Sequence, residues 1–171
     1  MRMSPSRFAL AQLNIGRLLA PLDSDQLSGF VAALEPINAL ADAAPGFIWR
    51  LTGADGADDA TSERFFGETD LLLNMSVWRD LAALNDFVFR SPHVEVMRQR
   101  RFWFHLMTEV YTALWWVPSG VTPTIAEAEE RLLHLREHGP TEYVFNFKKP
   151  FPAPDDAATP PAHDTPATPP A

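Results

Sequence analysis

Proton transfer near neutral pH falls mainly to histidine, and this chain has five, with no cysteine. Without cysteine there is no disulfide, thiolate metal site or Cys nucleophile. His93 follows Ser91-Pro92, a pair that opens helices with Ser as N-cap and Pro in the first turn. An imidazole there is held toward its neutral form and suits a proton acceptor. Asn14 and Asn74 lie late in two strand-like runs and offer amides that orient a substrate. His93, Asn14 and Asn74 are the catalytic candidates. His93, Met97, Arg100 and Phe104 share one helical face, and Arg100 suits an anionic group. Trp78, Phe104, Tyr111 and Trp115 are the aromatic candidates for a flat hydrophobic ligand. Their ordinary explanation is core and interface packing, where aromatics supply much of the buried area.

Other motifs carry less. His134-Leu135-Arg136-Glu137-His138 matches the inverted zinc-protease pattern H-x-x-E-H. Gly139-Pro140 ends that helix at once, and little chain remains to supply a third ligand, so chance and the helix dipole explain it. No metal site is expected. Arg98-Gln99-Arg100-Arg101 reads as a solvated basic face. Glu109 is the one acid near the aromatic strand, a general base or a strand-edge residue. No nucleophile elbow, phosphate loop or dinucleotide fingerprint occurs.

These residues need elements to hold them. Phe8–Ile15 is the first strand, with Phe8, Leu10, Gln12 and Asn14 on one face and small apolar residues on the other. Asp23 with Gln26 approximates a capping box. Leu27, Phe30, Val31, Leu34, Ile37 and Leu40 follow as a helical stripe. Pro36 should kink or split that helix, and Pro45-Gly46 ends it. Phe47–Thr52 reads as a strand and Gly53–Glu68 as a surface loop. Leu71–Trp78 is the clearest strand, with Asn74, Ser76 and Trp78 on its more polar face. A short helix carries Leu81, Leu84 and Val88, and the His93 helix follows. Val110–Val117 is another strand. Thr124 with Glu127 caps a helix running to His138, and Tyr143, Phe145 and Phe147 alternate in a last strand. The order β-α-β-β-α-α-β-α-β is, without its last helix and strand, the split βαβ, ferredoxin-like arrangement of an α+β fold. One sheet face then packs on helices. The other, polar and Trp-bearing, needs cover, which a second copy would supply.

Composition changes near Pro150: eight of the 22 residues from there to Ala171 are Pro. A Pro/Ala-rich tail without large apolar residues reads as disordered. The expected division is a flexible 1–6, a domain at 7–150 and a disordered tail at 151–171. The net charge of −8 argues against nucleic acid as a partner. No apolar run suits a membrane span or a signal peptide, so the protein is expected to be cytoplasmic.

Certain stretches point further. They are Ala11-Gln12-Leu13-Asn14-Ile15, Pro45-Gly46-Phe47-Ile48-Trp49, Asn74-Met75-Ser76-Val77-Trp78, Arg90-Ser91-Pro92-His93 and Leu114-Trp115-Trp116-Val117-Pro118. Together they resemble an uncharacterised bacterial domain family of the dimeric α+β barrel superfamily, over about residues 7–151. That superfamily includes antibiotic-biosynthesis monooxygenases, haem-degrading enzymes and non-catalytic members. The resemblance implies a homodimer with a cavity between sheet and helices in each subunit. It makes binding of a small hydrophobic or aromatic molecule the leading expectation, with cofactor-independent monooxygenase chemistry as its enzymatic form. A non-catalytic structural or regulatory homodimer is the alternative. Haem bound through His93 is a third, since the haem-degrading relatives place a His ligand at a similar helix start. Their Trp position falls nearest Phe87 here, which breaks that pattern.

Overall fold

The computed structural model describes residues 6–154. Four strands and four α-helices form an α+β fold. The strands are β1 (Phe8–Arg17), β2 (Phe47–Arg50), β3 (Leu71–Trp78) and β4 (Thr112–Pro118). The helices are α1 (Ser28–Asp42), α2 (Leu81–Arg90), α3 (His93–Gln99) and α4 (Ile125–His138). The sheet order is β2-β3-β1-β4, and every neighbouring pair is antiparallel.

Residues paired directly across antiparallel strands share a face. Ala11 therefore shares a face with Val77 and Trp115, and Gln12 with Ser76 and Leu114. The Ala11 face is the apolar core. Ala9, Leu13, Ile15, Met75 and Val117 lie on it, packed under Ala128, Leu132 and Leu135 of α4. Phe65 and Val144 complete this layer, both fully buried. Thr124 caps α4, its hydroxyl accepting from Glu127 N–H at 3.1 Å, as the capping box predicts.

The Gln12 face is the one expected to await a second copy. It is instead covered by α1, α2 and α3 of its own chain, and Trp78 is 1% exposed. With α4 across the opposite face, both sides of the sheet carry helices of the same chain. An uncovered sheet face is therefore no longer a ground for expecting a sheet-to-sheet dimer.

Several boundaries shift. The expected capping box at Asp23 is not formed. A short 3-10 turn at Asp25–Leu27 precedes α1, and Ser24 makes no side-chain cap. Pro36 does not divide α1, which runs through it. The loop Gly53–Glu68 is more than surface, because Phe65 enters the core. Tyr143–Phe147 is not a strand: Phe145 exchanges two backbone bonds with Leu114, both 2.8 Å, and pairing goes no further. Packing also continues past residue 150. Phe151 packs tilted against Phe145 at 5.9 Å, its carbonyl accepts from Trp116 Nε1 at 2.9 Å, and Ala153 is buried. Ser6 is tied to Ser119 by a hydrogen bond. Residues 1–5 and 155–171, which hold most of the expected flexible ends, lie outside the described residues. Among the described residues no helix is long and apolar enough to cross a membrane.

Candidate functional site

The helices do not close onto the Gln12 face. Between them and the sheet lies a cavity of about 360 Å³. Its roof is the inner stripe of α1: Phe30, Ala33, Leu34, Ile37 and Ala41. The spacing is that of a helix meant to face a core. Yet of α1 only Ala41 is buried, because the stripe overlooks a void.

The floor is a polar strip crossing the sheet. Asn14 pairs in register with Asn74 on one side and Thr112 on the other. The next rung sets Gln12 against Ser76. Gln12 and Ser76 are buried, joined by a bond of 3.0 Å from Ser76 Oγ to Gln12 Oε1, and Trp78 Nε1 donates to Ser76 Oγ at 2.9 Å. Asn74 differs: in the middle of a central strand it is exposed, and no described residue hydrogen-bonds its amide. It faces the open space of the cavity.

The two ends of the cavity differ in chemistry. At one end Trp78 stacks on Phe87 at 5.0 Å, with Phe47 edge-on at 5.4 Å. His93 joins this aromatic end, its ring 5.0 Å from Phe87 and Nδ1 3.4 Å from the Val88 carbonyl. Ser91 is extended and its hydroxyl accepts from His93 N–H at 3.2 Å, while α3 itself begins at His93 with Pro92 in the N-cap position, one residue later than the Ser-cap, Pro-first reading puts it. Burial, countered by the Val88 carbonyl, holds the imidazole pKa below its usual 6.5. The cause is burial, and α3 is too short to credit a helix field.

At the other end sits Arg100, just past α3. Its guanidinium donates to Asn14 Oδ1 at 3.2 Å and to the Ile15 carbonyl at 2.9 Å. It lies over the rings of Phe104 and Tyr111, each 5.0 Å away. Asn14 Nδ2 donates to Thr112 Oγ1 at 3.3 Å. α3 ends at Gln99, but His93, Met97, Arg100 and Phe104 all line the cavity as their spacing predicts. α3 spans about 10 Å, which separates His93 from Arg100. It is thus Arg100, not His93, that the fold brings to Asn14.

Trp115 is not in the cavity. It lies on the α4 face, fully buried, with Nε1 donating to Glu127 Oε1 at 3.1 Å. Trp116 shares the Gln12 face but packs beside Phe145, at 6.5 Å. Glu109 is bridged to Arg136 at 3.3 Å and does not line the cavity. His134 and His138 pack together at 4.4 Å, and no described cluster of three or more metal-type ligands exists. Residues that line the cavity without having been site candidates include Ser76, Phe47, Phe87 and Arg50. Arg50 lines the wall and is bridged to Asp42 at 2.8 Å and to Asp58 at 2.7 Å, neither of which lines it.

With this geometry in hand, the chain can be placed among known proteins. Residues 9–161 match a domain of unknown function, DUF3291, and the chain belongs to that family. It is similar to a crystal structure of a protein of unknown function from Nitrosomonas europaea, at 13% identity and a TM-score of 0.43, covering 69% of this chain and 95% of that one. No curated protein matches at a significant level.

Proposed function

We propose that this domain binds a small, largely apolar molecule in the cavity between the sheet and α1–α3. The observation that carries this is the cavity of about 360 Å³, apolar in its roof and polar along its floor. Ligand sites commonly run ~300–1,000 Å³, with apolar walls and a few convergent polar groups. The strand order β2-β3-β1-β4 supports kinship with the ferredoxin-like, dimeric α+β barrel folds. A dimer in this reading uses a surface other than the covered sheet.

Binding without turnover is favoured over monooxygenase chemistry by one feature. The proton acceptor, His93, and the polar group around Asn14 sit at opposite ends of the cavity. In a monooxygenase reading, His93 takes the substrate proton and the walls exclude water. A haem reading would use His93 Nε2, since Nδ1 meets the Val88 carbonyl as it commonly does in metal-bound histidine; the binding reading does not require it.

Native mass spectrometry of the protein purified from its own host tests the binding reading. A retained small molecule is expected, and Asn74→Phe, which adds a ring where the floor is open, should lose it while remaining folded. Retention by Asn74→Phe at the wild-type level would place the ligand elsewhere. Oxygen uptake on adding the released molecule would move the reading to an oxygenase.

A further inference from the structure

A guanidinium inside a protein is normally matched by a carboxylate, because an unpaired charge is costly to remove from water. The cavity holds two arginines that can be compared directly. Arg50 is matched twice, by Asp42 and Asp58. Arg100 has no carboxylate partner among the described residues. Its hydrogen bonds go to one amide oxygen and one backbone carbonyl, both neutral. Its faces are covered by Phe104 and Tyr111. Aromatic faces offset part of the charge but accept no N–H. Two of its five N–H groups are thereby used. Burial pulls the Arg100 pKa below its usual value, with only Tyr111 acting against it. The one acid that lines the cavity, Asp59, is turned to its own loop, accepting from Thr61 N–H at 2.9 Å.

The neighbours are arranged as if to keep this charge in place. Gly16 lies under it on β1. A Cβ there would come 2.6 Å from Phe104 Cδ1 and 3.1 Å from the Arg100 guanidinium. The absent side chain makes room for the ring and the cation together. Beside them, Asn74 presents an amide without a partner from the same rung of the sheet as Asn14. Trp78 is four residues along β3, about 13 Å away. The cavity therefore has a cationic end and an aromatic end, roughly one ligand length apart.

We infer that the ligand is an amphiphilic monoanion, a carboxylate on an aromatic or aliphatic body, with its acid head on Arg100 and Asn74 and its body against Trp78, Phe87 and Phe47. This deepens the binding reading above and rests on it. A carboxylate accepts a guanidinium fork in two parallel bonds, so it supplies what the site lacks. His93, kept neutral by burial, adds no competing charge at the far end.

The test titrates the whole protein with two acids, naphthalene-2-carboxylate and octanoate, and with the primary amide of each. Binding is followed by calorimetry and by Trp fluorescence. The expected result is that at least one acid binds tenfold or more tighter than its own amide. Arg100→Gln should abolish that preference while the amide's affinity stays within threefold. Arg100→Lys should restore part of it. Should Arg100→Gln fail to fold, Asn74→Leu serves instead, reducing the preference for the acid by threefold or more with the amide unaffected. Equal binding of acid and amide to wild type would overturn the anion assignment and leave the cavity reading standing. So would a preference that survives Arg100→Gln. Failure of all four probes, with no molecule retained from the host, would overturn the cavity reading and this inference with it.

Discussion

Gly16→Ala is the substitution whose outcome depends most directly on the geometry described. The new methyl would meet Phe104 Cδ1 at 2.6 Å and Cε1 at 2.9 Å, closer than carbon atoms tolerate. Phe104 has little freedom to retreat. Phe30 packs edge-on against it at 5.1 Å, its N–H is bonded to the Arg100 carbonyl at 2.9 Å, and it bridges to Leu18. Overpacking of this kind costs about 1–3 kcal/mol. Replacing a strand glycine by alanine returns about 0.5–1 kcal/mol through the unfolded chain. The difference spans about 0–2.5 kcal/mol, and with Phe104 pinned on three sides the upper half, about 1–2 kcal/mol, is expected. For a domain of this size that lowers Tm by about 2–8 °C. Urea unfolding should show a reduced midpoint with an unchanged slope, since compactness is not altered. Gly29→Ala is the matched control. Its Cβ would find Trp103 at 3.5 Å, an ordinary contact, and it lies in α1, so it should stabilise by up to about 1 kcal/mol. A Gly16→Ala protein as stable as wild type would refute the packing of Phe104 against β1 and remove the argument for how Arg100 is held.

Other outcomes follow from single contacts. His93 titrates below 6.5 in the folded chain, so below about pH 6.5 the unfolded chain binds the extra proton and stability falls with pH; NMR titration and denaturation at pH 5 to 7 should show a dependence that His93→Gln lacks. Thr124→Ala removes the hydroxyl that accepts from Glu127 N–H and should cost about 1 kcal/mol by thermal unfolding. Ending the chain at Pro150 deprives the Trp116 indole of the Phe151 carbonyl and should cost about 1–3 kcal/mol, whereas a neutral result would return residues 151–154 to the tail.

How far the sequence can be read depends on what periodicity encodes. All four sheet strands were legible, as were the Thr124 cap and the α1 stripe, because a period of 2 or 3.6 records which side of an element is apolar. It does not record what lies opposite. Gln12, Asn14, Asn74 and Ser76 mark a polar face, and a polar face reads the same whether it borders bulk solvent or a cavity under helices. The pattern therefore implies cover by a second copy, where α1–α3 of the same chain supply it. Trp115 was misplaced for another reason. The pairing of Ala11 with Trp115, and not with Trp116, puts it on the α4 side, and register between distant strands is not written in either strand alone. Phe65 entered the core from a polar loop whose composition hides it. The spacing His93, Met97, Arg100, Phe104 was correct as a face, but only three-dimensional contacts show that Arg100 is the member that meets Asn14.

The cavity itself sets a constraint on the fold. A dry apolar void of about 360 Å³ would cost about 9 kcal/mol at ~24 cal/mol per Å³. A domain's whole stability is about 5–15 kcal/mol. A closed dry void is thus excluded, and the polar side chains of Asn74, Asn14 and Thr112 line its floor while α1 remains half-buried above. On the binding reading, a ligand would complete the burial of α1, so binding should stabilise α1 more than the α4 layer. Ala33→Leu separates the two sides of this argument. Ala33 faces the cavity from α1 and is only half-buried. A leucine there fills space without touching the polar floor, and should raise stability by up to about 1 kcal/mol while weakening whatever probe binds. Hydrogen exchange should show slower opening of α1 in that variant, as it should for wild type with ligand bound. A destabilised Ala33→Leu protein would mean the roof is already packed against the sheet, and the cavity would lose its claim to hold anything.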